Sequence, residues 1–160
     1  MAARRLRSWV IQRRRQRQID PVPMIQAPER APDGAALYLG TTVGGSQQHH
    51  LVAGALFGRG ACRYWLEPGR LVLQREGGGG PEAPGDVVVA LTGILQVGLS
   101  GAHAGQVLAP SRIAVVTWAL DNEEVDTGFG FADAKRAERF ADQVTEAAGL
   151  SPDRGPHASA

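Results

Sequence analysis

Short apolar runs separated by glycine, proline and acidic residues fill most of the chain, and their spacing predicts strands. Ala36 to Val43 (ALYLGTTV) reads as the first. Ala61 to Leu66 (ACRYWL) and Arg70 to Arg75 (RLVLQR) flank Glu67-Pro68-Gly69, whose turn chemistry predicts a hairpin. Val87 to Leu91 and Ile94 to Leu99 are two further strands. Arg112 to Leu120 (RIAVVTWAL) is apolar on both faces, as a central, well-covered strand would be. Asp121-Asn122 then turns the chain into Val125 to Phe131, where Val125, Thr127, Phe129 and Phe131 share one face at a period of two. Gln47 to Phe57 fits a short helix or an apolar loop. Gly77 to Gly85 (GGGGPEAPG) reads as loop, because nothing in it can offset its ordering entropy through burial.

The period changes once. Between Asp133 and Ala148 the residues Ala137, Phe140, Ala141, Val144 and Ala148 form one stripe, with Lys135, Arg139, Asp142 and Glu146 pointing away. Asp133 is the candidate N-cap and Gly149 the candidate C-cap. Such a helix must cover something, and the open end of a strongly bent antiparallel sheet is the place. The fold class that follows is mainly β, a bent antiparallel sandwich or barrel of about seven strands capped by one C-terminal helix. That order of elements is the pleckstrin-homology (PH) superfold.

Four segments result: a basic arm over residues 1–18, a Pro-rich linker over 19–34 with four prolines, a domain over 35–150, and a polar tail over 151–160. With 160 residues, 43% of them hydrophobic and 21% charged, the chain excludes wholesale disorder and can bury one core. The lone Cys62 excludes an internal disulfide and a cysteine-based zinc site; a buried strand position suits it. The net charge of +1 conceals a division: residues 1–19 hold seven arginines and no acid, whereas the rest holds ten basic against sixteen acidic residues. A basic arm on an acidic body predicts an anionic surface as partner of the arm alone. The longest apolar run, near Leu51 to Phe57, is far below the roughly 20 residues that span a bilayer, and Leu6 to Ile11 is too short for a signal sequence.

Several residue groups invite chemistry and do not sustain it. His49 and His50 are adjacent, so they diverge on either a strand or a helix and chelate poorly. Asp121, Glu123, Glu124 and Asp126 lack the spacing of a calcium loop and read as a solvated turn. Ser100 and His103 have no nucleophile elbow around them, and their LSGAH segment reads as a flexible connection. Gly77 to Gly80 is followed by neither a Lys-Ser/Thr pair nor a helix, so it is no phosphate loop. Trp65, Trp118, Phe129 and Phe131 at strand spacing read as core. No catalytic constellation, metal site, cofactor or small-molecule substrate is expected.

The segments YLGTTVGG (Tyr38 to Gly45), VVTWAL (Val115 to Leu120) and above all VDTGFGFAD (Val125 to Asp133) resemble a family of small actinobacterial proteins with a PH-like domain. The likeness covers about residues 36–148 and includes the order of elements. It implies architecture more than activity: members typically carry an N-terminal transmembrane helix, a basic stretch, a Pro-rich linker and then the domain, and are sometimes labelled as transporter or membrane proteins. Here the Arg-rich stretch is present without that helix, which leaves a start upstream of Met1 or a lost anchor as the two explanations. The DTGF motif, Asp126, Thr127, Gly128 and Phe129, is expected to fix the junction of last strand and helix, with Asp126 and Thr127 bonding nearby backbone.

The expected function is a non-enzymatic binding module at the cytoplasmic face of the membrane, since arginines concentrate on that side. Arg4, Arg5, Arg7, Trp9, Arg13, Arg14, Arg15 and Arg17 are the expected membrane contacts. No nucleic acid is expected, because the acidic body would repel phosphate and no reading motif is visible. A protein or peptide partner would add a strand beside Leu95, Val97 and Leu99, with Ala137, Phe140 and Val144 as the helix wall. The alternatives are an accessory subunit of a membrane transport or export assembly, and an anionic-lipid module using Arg59 and Arg63.

Overall fold

The computed structural model describes residues 27–43, 56, 58–75, 86–108 and 111–151. The arm, His49, His50, the tetraglycine and the residues from 152 onward lie outside the described residues. Seven strands form one antiparallel sheet: β1 (Gly34–Val43), β2 (Gly60–Glu67), β3 (Arg70–Arg75), β4 (Asp86–Ala90), β5 (Ile94–Ser100), β8 (Ile113–Leu120) and β9 (Glu123–Gly130). Their order is β4-β3-β2-β1-β9-β8-β5, so β4 and β5 are the two edges. Between β5 and β8 the chain makes a two-stranded excursion, β6 (Ala102–His103) with β7 (Gln106–Val107). Helix α1 (Ala134–Ala147) closes the molecule.

Local chemistry explains the boundaries. Glu67 pairs with Arg70 across Pro68-Gly69, where Gly69 adopts φ 79°, a conformation that costs glycine nothing. Asp121 takes φ 53° in the β8–β9 turn, a left-handed position that Asp tolerates better than most residues. Asp133 caps α1 by accepting a bond from the Arg136 backbone N–H at 2.9 Å, and Gly149 ends it at φ 68°. The apolar stripe of α1 enters the core: Ala137, Phe140, Ala141 and Val144 are buried. Phe140 lies at the centre, its ring 4.8 Å from Tyr64, 4.9 Å from Phe129 and 5.2 Å from Phe131.

Two bulges set the curvature. Tyr38 pairs with Phe129 but Thr41 with Thr127, so β1 carries one extra residue beside Gly40, which sits at φ 107°. Tyr38 and Thr41, three apart in sequence, therefore face the same interior. In β5, Ile94 pairs with Trp118 and Gln96 with Thr117, which makes Leu95 the extra residue.

The ordered body reaches back into the Pro-rich segment. Arg30 grips both carboxylate oxygens of Asp33 at 3.1 Å and donates to the Leu66 carbonyl at 3.0 Å. Asp33 accepts from the Leu66 N–H at 2.6 Å, and the Trp65 indole donates to the Arg30 carbonyl at 2.9 Å. The Arg30 hydrogen bonds hold the Asp33 carboxyl below its ordinary range. Trp65, expected in the central core, is buried on the opposite face of the sheet from Tyr64, under this strap.

Candidate functional site

The expected peptide groove is only partly present. The bulge at Leu95 takes that residue out of the alternation, so it does not share a face with Val97 and Leu99. Val97 is 9% exposed and packed in the core, whereas Leu99, in regular register on the same face, is 42% exposed and Leu95 is 50% exposed. Ala137, Phe140 and Val144 line no groove either. They are fully buried, consumed by the contact of α1 with the sheet. Among the described residues the outer edge of β5 pairs with no further strand; two exposed leucines flank it, and α1 packs against β5 and β8. The other edge strand, β4, presents no large exposed apolar side chain among the described residues.

The DTGF stretch lies within β9, not at its junction with the helix, and its polar side chains bond other side chains. Asp126 accepts from the Thr117 hydroxyl at 2.5 Å. Thr127 accepts from the Trp118 indole at 2.9 Å and shares a 2.8 Å bond with Thr41. Thr41 is 2.5 Å from the Tyr38 hydroxyl, which donates to the Leu56 carbonyl at 2.9 Å. The chain from Trp118 through Thr127 and Thr41 to Tyr38 is a buried polar layer inside a mostly apolar core, with each hydroxyl partnered, whereas the Asp126–Thr117 pair is only part-buried. Arg75, paired in register with core-facing Cys62, also points inward and stacks 3.9 Å from the Tyr38 ring centroid. Sequence patterning missed this layer, because only the bulge brings Tyr38 and Thr41 to one face. Gly40 inside a strand was the one available signal.

Burial changes the acid–base behaviour of this layer. Desolvation pushes the Tyr38 phenol up to about 12 and the Cys62 thiol up to about 11, and it lowers Arg75. In the unfolded chain Tyr38 and Cys62 ionise near their ordinary values of 10.0 and 9.0. Above pH 9 the unfolded state therefore holds fewer protons than the native state, so stability is full below that point and falls as pH rises through both native values. Urea midpoints measured from neutrality into the alkaline range should decline accordingly, and Tyr38→Phe should remove the Tyr38 share of the decline.

The LSGAH connection is ordered. The β6–β7 hairpin lies over β1 and β9, with His103 buried against Gly128 and its Nε2 3.1 Å from the Gly40 carbonyl. A Cβ built on Gly128 would fall inside the His103 imidazole, and one on Gly130 would sit 3.1 Å from Leu108 Cδ1. The two glycines of the DTGFG run are thus the seats of a covering flap. Of the two basic residues considered for a lipid head group, Arg59 donates to the Ala104 carbonyl at 2.6 Å and so helps to hold the same flap. Arg63 is exposed on β2, in register with Ala35. Asp121 and Glu124 are exposed at the β8–β9 turn. Among the described residues no helix is long and apolar enough to cross a membrane, and no group of three or more His, Cys, Asp or Glu side chains is placed to hold a metal ion.

Residues 16–145 match a sequence family described as bacterial PH domain-like. No curated protein matches the chain.

Proposed function

We propose that this chain, which belongs to the bacterial PH domain-like family, is a non-enzymatic binding module held near the cytoplasmic face of a membrane by its basic arm, and that it takes an extended peptide along the outer edge of β5. The observation that carries the binding surface is the position of β5 at the end of the sheet order with Leu95 and Leu99 exposed beside it. An edge strand presents a row of backbone donors and acceptors, which a peptide satisfies by adding a strand. The exposed leucines then supply apolar contact next to the new strand. Support for the membrane contact is electrostatic: seven arginines within the first 19 residues, each contributing about 1 kcal/mol near an anionic surface. Arg59 is engaged in holding the flap, which leaves few basic side chains for a multiply charged head group.

Peptides selected from a random display library against the full chain, followed by amide chemical-shift mapping, test the assignment. Shifts should concentrate in Gln96 to Ser100. Leu95→Asp with Leu99→Asp should weaken binding about tenfold or more, since burying each leucine contributes roughly 1.5–3 kcal/mol, with no loss of thermal stability. Binding that instead requires Arg59 and Arg63 and responds to anionic head groups would replace this reading with lipid recognition.

A further inference from the structure

The run from Val87 to Ser111 is 25 residues without Asp, Glu, Lys or Arg, in a chain of which 21% is charged. It includes the edge strand β5 and the flap. Among the described residues, three of the four exposed large apolar side chains, Leu95, Leu99 and Val107, fall within it. Depletion of charge marks the centre of protein–protein interfaces. Exposed sheet edges are commonly guarded by lysine, proline or an inward charge, and Ile94–Ser100 carries none of these. Its one irregularity is the bulge at Leu95, which ends regular pairing at Gln96.

The five residues beyond the bulge have the same character read in either direction. Gln96 and Ser100 are polar, Val97 and Leu99 are apolar, and Gly98 stands between them. Pairing with β8 sets Val97 opposite Val116 and Leu99 opposite Ala114 on the core side of the sheet, and turns position 98 to the outer side. A Cβ built on Gly98 meets nothing within 4 Å, and its backbone lies outside the left-handed region.

We propose that β5 pairs antiparallel with β5 of a second copy of this chain, about a two-fold axis through Gly98. A two-fold needs one surface that complements itself. This register supplies it: Gln96 faces Ser100 of the second copy, Val97 faces Leu99, and Gly98 faces Gly98. Backbone groups on the outer edge of β5 then pair, and the exposed Leu99 gains an apolar cross-strand neighbour. Charge selects where the copies meet. Beyond residue 19 each copy holds sixteen acidic against ten basic residues, so two bodies repel one another through most of their surfaces. The charge-free run is where that repulsion is least. A five-residue seam places the dimer in the weak, transient class of interfaces. The dimer does not depend on the peptide reading, but both use one edge, so a second copy and a bound peptide exclude each other.

The test is sedimentation equilibrium of the full chain from about 1 µM to 1 mM, the span over which weak interfaces dissociate. The wild type should move from monomer toward dimer as concentration rises. Gly98→Lys and Gly98→Glu each set like charges directly opposite one another across the axis, and each alone should stay monomeric. Their equimolar mixture should associate again, because opposite charges then face each other. Gly98→Cys should give a disulfide-linked dimer on mild oxidation, since paired antiparallel residues lie within disulfide reach. Gln96→Cys should not, because its two copies are offset by four residues, about 14 Å. The native Cys62 is buried and does not compete. A wild type that stays monomeric throughout, a charge variant that dimerises alone, or a mixture that fails to associate would overturn the dimer. Peptides that bind a strictly monomeric wild type would remove the dimer and leave the peptide reading standing. A dimer that no selected peptide dissociates would keep the dimer and remove the peptide from this edge.

Discussion

Phe140→Asp is expected to leave the chain without a cooperative melting transition at room temperature and above. Phe140 is fully buried, and its ring meets three others, Tyr64, Phe129 and Phe131, at centroid distances of 4.8, 4.9 and 5.2 Å. Removing a phenylalanine from such a site costs about 3–5 kcal/mol. A carboxylate put in its place adds a desolvation penalty of several kcal/mol, unless it takes up a proton. Domains of this size have only about 5–15 kcal/mol to lose. Near-ultraviolet circular dichroism should collapse, because all four rings are held by the same contact. Phe140→Leu, which keeps most of the apolar volume, should remain folded with a lowered midpoint. If Phe140→Asp melts like the wild type, α1 is not docked on the sheet and the architecture described above is wrong.

That contact was legible in the sequence. The 3.6-residue stripe of α1 and the period-two alternation of β9 each specify a buried face, and an isolated amphipathic helix after seven strands has one place to go. The hairpin at Pro68-Gly69 was equally plain, since proline presets the first turn position and glycine accepts the second. The family match over residues 16–145 and the seven-strand antiparallel sheet with its C-terminal helix agree with the fold class expected from those patterns. The β6–β7 hairpin was not legible. Its strands are two residues each, too short to set a period, and its stability comes from side chains that reach across the fold.

The site was less legible than the fold, for a related reason. Alternation along β5 assigns Leu95, Val97 and Leu99 to one face only if pairing is regular, and a one-residue bulge reverses part of that assignment. Apolar residues on α1 identify a buried face, but cannot say whether that face covers the core or leaves a groove beside it. The structure answers that Ala137, Phe140 and Val144 cover the core. The polar layer from Trp118 to Tyr38 depends on a similar shift of register in β1, and serine, threonine and tyrosine positions carry no hydrophobic signal that would place them together.

Gly128→Ala is expected to be the most damaging conservative change in β9, and the reason is space. Gly128 does not lie in the left-handed region, so an L side chain is allowed by its backbone. In a strand, alanine would even gain a little over glycine by restricting the unfolded chain. Against that small gain stands the His103 ring, which occupies the volume where the new methyl group must go. The imidazole cannot step aside freely, because its Nε2 lies 3.1 Å from the Gly40 carbonyl and the flap around it is held by Arg59 on the Ala104 carbonyl. Overpacking of this kind costs about 1–3 kcal/mol, and lifting the hairpin would also uncover the β1–β9 surface beneath it. The expected result is a lower denaturation midpoint, together with faster amide exchange confined to residues 102–107. His103→Ala should destabilise modestly by itself and should relieve most of the Gly128→Ala penalty in the double variant. Neighbours in contact commonly couple by about 0.5–3 kcal/mol, and here the sign should be favourable. Strictly additive losses in the four proteins of that cycle would show that Gly128 serves something other than the seat of His103.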